Sequence, residues 1–328
     1  MKHVSIIVPE GPSNLSSIVV PHNMLSKANE HLASLGKKAI FRIQLVGLSN
    51  EVRLDGGMFS VRPEVAIDDV KKTDLIIIPA ISPDFTDAIT RNKPYVDWIT
   101  SQYQNGAEVA SICTGAFLMA QTGLLNGRNC STHWVAAAAF RTMFPKVNLV
   151  TDQIITDENR IYTNGGAFSF LNLMLHLIEK YCGRETAIYS SKVFEIDISR
   201  NCQSPFSIFL GQKNHEDEAI KKAQSYLENN VDKKISVEAL TSMLALERRS
   251  FDRRFKKATG NSPAEYMQRV KIEAAKKNLE NGARNINEVM YGVGYVDKKA
   301  FRTIFKKITG LSPLDYRNRY NHLVAVAQ

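Results

Sequence analysis

A duplicated 16-residue pattern constrains this chain more than any other feature. Phe251-Asp-Arg-Arg-Phe-Lys-Lys-Ala-Thr-Gly-Asn-Ser-Pro-Ala-Glu-Tyr266 aligns with Phe301-Arg-Thr-Ile-Phe-Lys-Lys-Ile-Thr-Gly-Leu-Ser-Pro-Leu-Asp-Tyr316, and nine of the 16 positions are identical. Such self-similarity means two copies of one supersecondary unit. In each copy the two Phe stand four residues apart, which puts them on one face of a helix. Thr-Gly then closes that helix. Upstream, Ser236-Val-Glu-Ala-Leu240 matches Asn285-Ile-Asn-Glu-Val289, and Ser and Asn are both favoured N-caps. Each copy therefore reads as a short helix, a turn near residues 244–246 or 293–295, and a second helix, which is a helix-turn-helix.

With the Phe pairs buried, Arg249, Asp252 and Arg253 fall on the outer face of the first second-helix, and Lys299, Arg302 and Thr303 on that of the other. These side chains can read base edges in a major groove. Lys256, Lys257, Lys306 and Lys307, near the helix ends, suit phosphates. A single basic helix is also what an ordinary solvated face looks like. The duplication argues otherwise, because the apolar skeleton is kept while the outward residues change (Asp252 to Arg302, Arg253 to Thr303). Charge points the same way. Residues 1–214 carry 20 Lys+Arg against 19 Asp+Glu, a net of +1, and residues 215–328 carry 22 against 14, a net of +8. The excess sits where a polyanion such as double-stranded DNA would bind.

The first 200 residues follow another rule. Apolar runs at 4–8, 39–46, 75–78 and 109–112 read as buried parallel strands, and residues 20–35, 95–103, 134–143 and 168–181 have helical spacing. That alternation predicts an α/β domain of the flavodoxin-like kind, a mostly parallel sheet with helices on both faces. Ligands bind such sheets at the carboxyl ends of the strands. There the sequence places Cys113, between a strand end and a helix beginning at Gly115, where a helix dipole favours a thiolate. The four Cys and seven His show no metal-ligand spacing, and no apolar run approaches a membrane span. The expected organisation is a ligand-sensing and dimerising domain over 1–200, a linker over 201–215 and an all-α DNA-binding domain over 216–328. The chain is expected in the cytoplasm, with no cofactor, no metal and no membrane.

Two resemblances extend this reading. Residues 216–322 resemble the AraC/XylS-type DNA-binding domain over its whole length, carrying the FxxxFKKxTGxSPxxY element twice with a connecting helix between. The block Cys113-Thr-Gly-Ala-Phe-Leu, with Gly123-Leu-Leu-Asn-Gly-Arg128, Thr132-His-Trp134 and Arg200-Asn-Cys-Gln-Ser-Pro-Phe206, is similar to the amidotransferase-like (ThiJ/PfpI) domain of the GlxA subgroup of such regulators. The resemblance implies a transcription regulator, a homodimer on operator DNA, answering to a small-molecule effector.

In the ThiJ/PfpI enzymes, the resemblance implies, a nucleophilic Cys works with a neighbouring His, an acidic residue from the first strand–helix loop and the backbone N–H groups of a Gly-Gly turn. Here Thr114 follows Cys113, residues 11–20 hold no carboxylate, and Pro79-Ala-Ile81 stands where Pro-Gly-Gly is expected. Asn172 replaces a usual Asp. Catalytic residues are therefore expected to be absent. Cys113, Thr114, His133, Gly165 and Gly166 become candidates for a ligand pocket, the two glycines for close approach or for an anion held on backbone N–H groups. The alternative is a Cys-dependent amidase or glyoxalase-like enzyme with an appended DNA-binding domain.

Overall fold

Each apolar run read as a buried strand forms a strand, though the one over residues 41–47 is only partly buried, with Arg42 exposed. The computed structural model describes residues 1–200, 202–213, 215–282 and 285–321. It divides into two compact units, Met1–Gln203 and Ser204–Gln328.

The first unit contains β1 (Lys2–Ile7), β2 (Phe41–Gly47), β3 (Val52–Leu54), β4 (Phe59–Val61), β5 (Val65–Ala66), β6 (Leu75–Ile78), β7 (Glu108–Ser111), β8 (Asn129–Cys130), β9 (Asn148–Leu149), β10 (Ile155–Glu158) and β11 (Ile161–Asn164). Its helices are α1 (Ser16–Ser34), α2 (Phe85–Arg91), α3 (Lys93–Gln104), α4 (Gly115–Gln121), α5 (Ala137–Met143), α6 (Phe170–Cys182) and α7 (Arg184–Val193). Seven strands form one sheet in the order β10-β11-β7-β6-β1-β2-β5, parallel throughout except for β10 against β11. Strands buried on both faces need apolar side chains on both, and Ile76, Ile77 and Ile78 of β6 are all fully buried. One core gathers Ile18, Met24 and Leu25 of α1 with Leu173, Met174 and Leu177 of α6. The other gathers Tyr95 and Ile99 of α3 with Phe117 of α4 and Phe140 of α5. The order reverses between β1 and β6, so the crevice at their carboxyl ends is the switch point where this architecture places ligands.

The second unit is helical: α8 (Glu218–Asn229), α9 (Val237–Met243), α10 (Arg248–Thr259), α11 (Pro263–Asn281), α12 (Ile286–Gly292), α13 (Lys298–Thr309) and α14 (Pro313–Tyr320). Every element of the duplicated motif has a mechanical job. Phe251, Phe255, Phe301 and Phe305 are at most 1% exposed, and burying each contributes about 1.5–3 kcal/mol. Tyr266 meets Phe255 edge-on with ring centroids 5.3 Å apart, and Tyr316 meets Phe305 at 5.5 Å. Thr259 Oγ1 donates to Phe255 O and Thr309 Oγ1 to Phe305 O, both at 2.8 Å. Gly260 (φ 70°) and Gly310 (φ 76°) end their helices in the left-handed conformation. Ser262 and Ser312 cap α11 and α14, with Pro in the first turn of each; such a cap contributes about 0.5–2 kcal/mol.

Part of the segment expected as a linker is packed. Gln203 is 3% exposed, and its backbone N–H donates to Asp152 O at 2.9 Å. Beyond it, Tyr320 OH donates to Pro205 O at 3.1 Å and Lys276 Nζ to Ser207 O at 2.6 Å. No helix among the described residues is long and apolar enough to cross a membrane.

Candidate functional site

Cys113 sits on a strained turn between β7 and α4, with φ at 56°. The turn is tight because α4 begins hard against the end of β6: a β-carbon on Gly115 would lie 2.4 Å from Pro79 O. Thr132 Oγ1 donates to Cys113 O at 2.8 Å and ties down the elbow. The thiol faces Gly166, whose φ of 95° already favours glycine, and a β-carbon there would lie 2.7 Å from Cys113 Sγ and 2.9 Å from His133. Thiol, imidazole and the Gly166 backbone thus converge on one point. Gly165 makes a second close approach, since its β-carbon would lie 2.6 Å from the Gln203 amide nitrogen. Positive φ and close approach both apply at Gly166, so neither reading of that glycine displaces the other.

The elbow buries its sulfur. Burial raises the Cys113 pKa above the ordinary thiol value and outweighs hydrogen bonds involving the Ala167 and Thr114 backbones and the Thr114 side chain. Burial thus works against the thiolate that the dipole of the seven-residue α4 would favour. His133 is also committed. Its Nδ1 accepts from the Val135 N–H at 3.2 Å, capping the short turn Trp134–Ala136. Burial lowers its pKa, favouring the neutral ring. With Nδ1 accepting, the neutral ring carries its proton on Nε2, and a base role for Nδ1 would have to break the cap.

The backbone N–H groups after β6 are occupied as well. Ser17 Oγ accepts from the Ala80 N–H at 3.1 Å while donating to Asn14 O at 2.6 Å. Thr114 Oγ1 accepts from the Ile81 N–H at 3.0 Å and donates back to Ile81 O at 2.8 Å. The turn into α6 likewise spends its donors internally. Gly166 N–H goes to Asn164 Oδ1 at 2.8 Å and Gly165 N–H to Ile154 O at 2.9 Å, so the anion site expected there is closed. Asn172 Nδ2 donates to Asp197 O at 2.8 Å.

On the second unit, Arg249, Arg253, Lys256 and Lys257 of α10 are exposed, as are Lys299, Arg302, Thr303, Lys306 and Lys307 of α13. Asp252 differs. It is half-buried and its Oδ2 accepts from Arg248 Nε at 2.9 Å, while Arg248 also reaches Glu238 on α9. Among the expected base readers, Asp252 is thus engaged within its own motif. Arg254, one residue past Arg253, turns away to bind the Asp217 carboxylate with two nitrogens at 2.7 and 2.8 Å. Sequence reasoning passed over Lys298, which is exposed in the first turn of α13; its alignment with Arg248 was the available signal.

Residues 2–180 match the DJ-1/PfpI family and residues 240–319 match a helix-turn-helix domain. The chain is 27% identical over 287 residues to the HTH-type transcriptional regulator GbdR of Pseudomonas aeruginosa, an alignment spanning 86% of this chain and 74% of that protein. It is 29% identical over 132 residues to an isonitrile hydratase of Pseudomonas putida, covering 39% of this chain and 54% of the enzyme. Among solved structures, an AraC family transcriptional regulator from Pseudomonas putida superposes with a TM-score of 0.51 at 18% identity, covering 59% of this chain and all of that one (100%), and shares the fold.

Proposed function

The chain belongs to the DJ-1/PfpI family with a helix-turn-helix domain behind it, and from that premise we propose a transcription regulator that binds operator DNA through α10 and α13 in response to a small molecule. One observation carries the reading: two helix-turn-helix units bury the same Phe–Phe–Tyr skeleton and expose different basic faces. Arg249, Arg253, Lys299, Arg302 and Thr303 read base edges, and Lys256, Lys257, Lys306 and Lys307 hold phosphates. Asp252 serves by positioning Arg248.

The first unit has an enzyme among its relatives, so the fold alone does not decide its role. Its chemistry favours sensing. Burial raises the Cys113 pKa, His133 Nδ1 is engaged as a cap, and Ser17 and Thr114 accept from the Ala80 and Ile81 N–H groups after β6. Cys113, Thr114, His133, Gly165 and Gly166 line the effector site. Gln203 links that site to the chain leading out of the unit, because its Nε2 donates to Thr132 O at 3.1 Å beside His133 while its amide packs on Gly165. An effector that moved either loop would release Gln203. Pairing of two chains through their first units would present four recognition helices to one operator.

Selection of bound fragments from randomised duplex DNA, with and without a panel of small metabolites, tests this reading. The expected product is a site with two half-sites about 10 base pairs apart per chain, bound roughly 10³-fold or more above random DNA. Recovery of unenriched sequence would overturn it.

A further inference from the structure

We infer that Lys271 sets the spacing between the two recognition helices, and hence which separation of half-sites the protein accepts. The inference rests on the DNA-reading function proposed above and assigns a positioning residue to it. Lys271 lies mid-way along α11, the helix joining the two motifs, and is 7% exposed. Its ammonium donates to three backbone carbonyls: Val231 O at 2.7 Å, Lys233 O at 2.9 Å and Val293 O at 2.8 Å. An ammonium has three protons, so all are used. No carboxylate forms an ion pair with it among the described residues.

The positions of those carbonyls give the arrangement its meaning. Val231 and Lys233 belong to the loop between α8 and α9, which leads into the first motif. Val293 ends α12, in the turn of the second motif. A single cation therefore binds the entry of one motif and the turn of the other, from the helix that connects them. The following residue fits only because it lacks a side chain: Gly294 has φ 72°, and a β-carbon there would lie 2.4 Å from Asp232 O and 2.6 Å from Lys271 Nζ. Burial draws the ammonium pKa down and the nearby Asp232 charge opposes it, while the three carbonyls satisfy its donors. Removing the cation leaves three carbonyls turned toward one another with no donor, a geometry that opens the contact between the motifs.

DNA measures such a distance strictly. One extra base pair moves the second groove by about 3.4 Å and turns it by about 35°. A rigid pair of readers gains from simultaneous engagement only at matching spacing, whereas a loosened pair tolerates the mismatch.

The test uses full-length protein and duplexes taken from the wild-type selection. One carries the selected spacing, one has a base pair inserted between half-sites, and one keeps a single half-site with the other scrambled. Wild type should prefer the selected spacing over the insertion by about tenfold or more. Lys271→Met should reduce that preference to about threefold or less while binding the single half-site within about twofold of wild type. Should Lys271→Met not fold, Lys271→Gln, uncharged and one atom shorter, cannot reach all three carbonyls at once, and the spacing preference is expected to fall in it as well. A folded variant that retains the spacing preference overturns the inference, as does one that weakens on all three duplexes alike. If wild type itself distinguishes none of the duplexes, the DNA-reading premise falls first and the assignment of Lys271 with it.

Discussion

The residues around Cys113 combine an elbow-like backbone with a buried thiol. The positive φ keeps the shape of a nucleophile elbow, yet Ser17 and Thr114 each fill a backbone donor that an oxyanion would need. A raised thiol pKa means that Cys113 is uncharged at neutral pH and ionises only as the pH climbs past the ordinary range. Alkylation followed by peptide mass mapping should therefore show Cys113 modification accelerating only above the free-thiol value of about 8.5. A midpoint at or below that value would restore the nucleophile. Cys130, pushed by burial to about 12, and Cys182, to about 11, provide slow internal references. The sequence disclosed the missing His, carboxylate and Gly-Gly. It did not disclose that side chains engage the backbone donors after β6, because Ser17 and Ala80 meet only when α1 packs against the end of β6.

At the scale of elements, patterns that alternate or repeat were legible and patterns of small residues were not. β6 was readable from its unbroken aliphatic run, and both helix-turn-helix units from their duplication. α7 carries no apolar stripe, since it buries Thr186, Ala187, Ser190 and Ser191, and β10 is a four-residue edge strand with two acidic residues, so both escaped notice. The split of α10 into outward Arg253 and inward Arg254 was likewise invisible, because only Asp217, 37 positions away, distinguishes them. That split makes a prediction about the element itself. Arg253→Ala should weaken specific binding by about 1–3 kcal/mol and relax the preference at one base position. Lys306→Ala on α13 should weaken all sequences alike and lower the salt slope by about one. Titrations of matched and mismatched duplexes across a salt series separate the two, and identical behaviour of both variants would mean that the reading and anchoring faces are misplaced.

For the whole molecule, the two units hold separate apolar cores, with Phe117 and Leu173 in the first and Phe251 and Phe301 in the second. Residues 204–328 alone are accordingly expected to fold and to select the same base sequence as the full chain. Their affinity should be lower by about 10²-fold or more if the first unit joins two chains, because joining makes the second engagement intramolecular. Equal affinity for the isolated unit and the full chain would count against pairing through the first unit. The second unit also carries a clasp of its own. Pro205, near its start, is held by Tyr320, the last residue of α14, and the Pro205 ring fixes its own φ near about −65°. First and last turns of the helical array are thus buttoned to each other, so that unravelling from either end must first undo the same fastening.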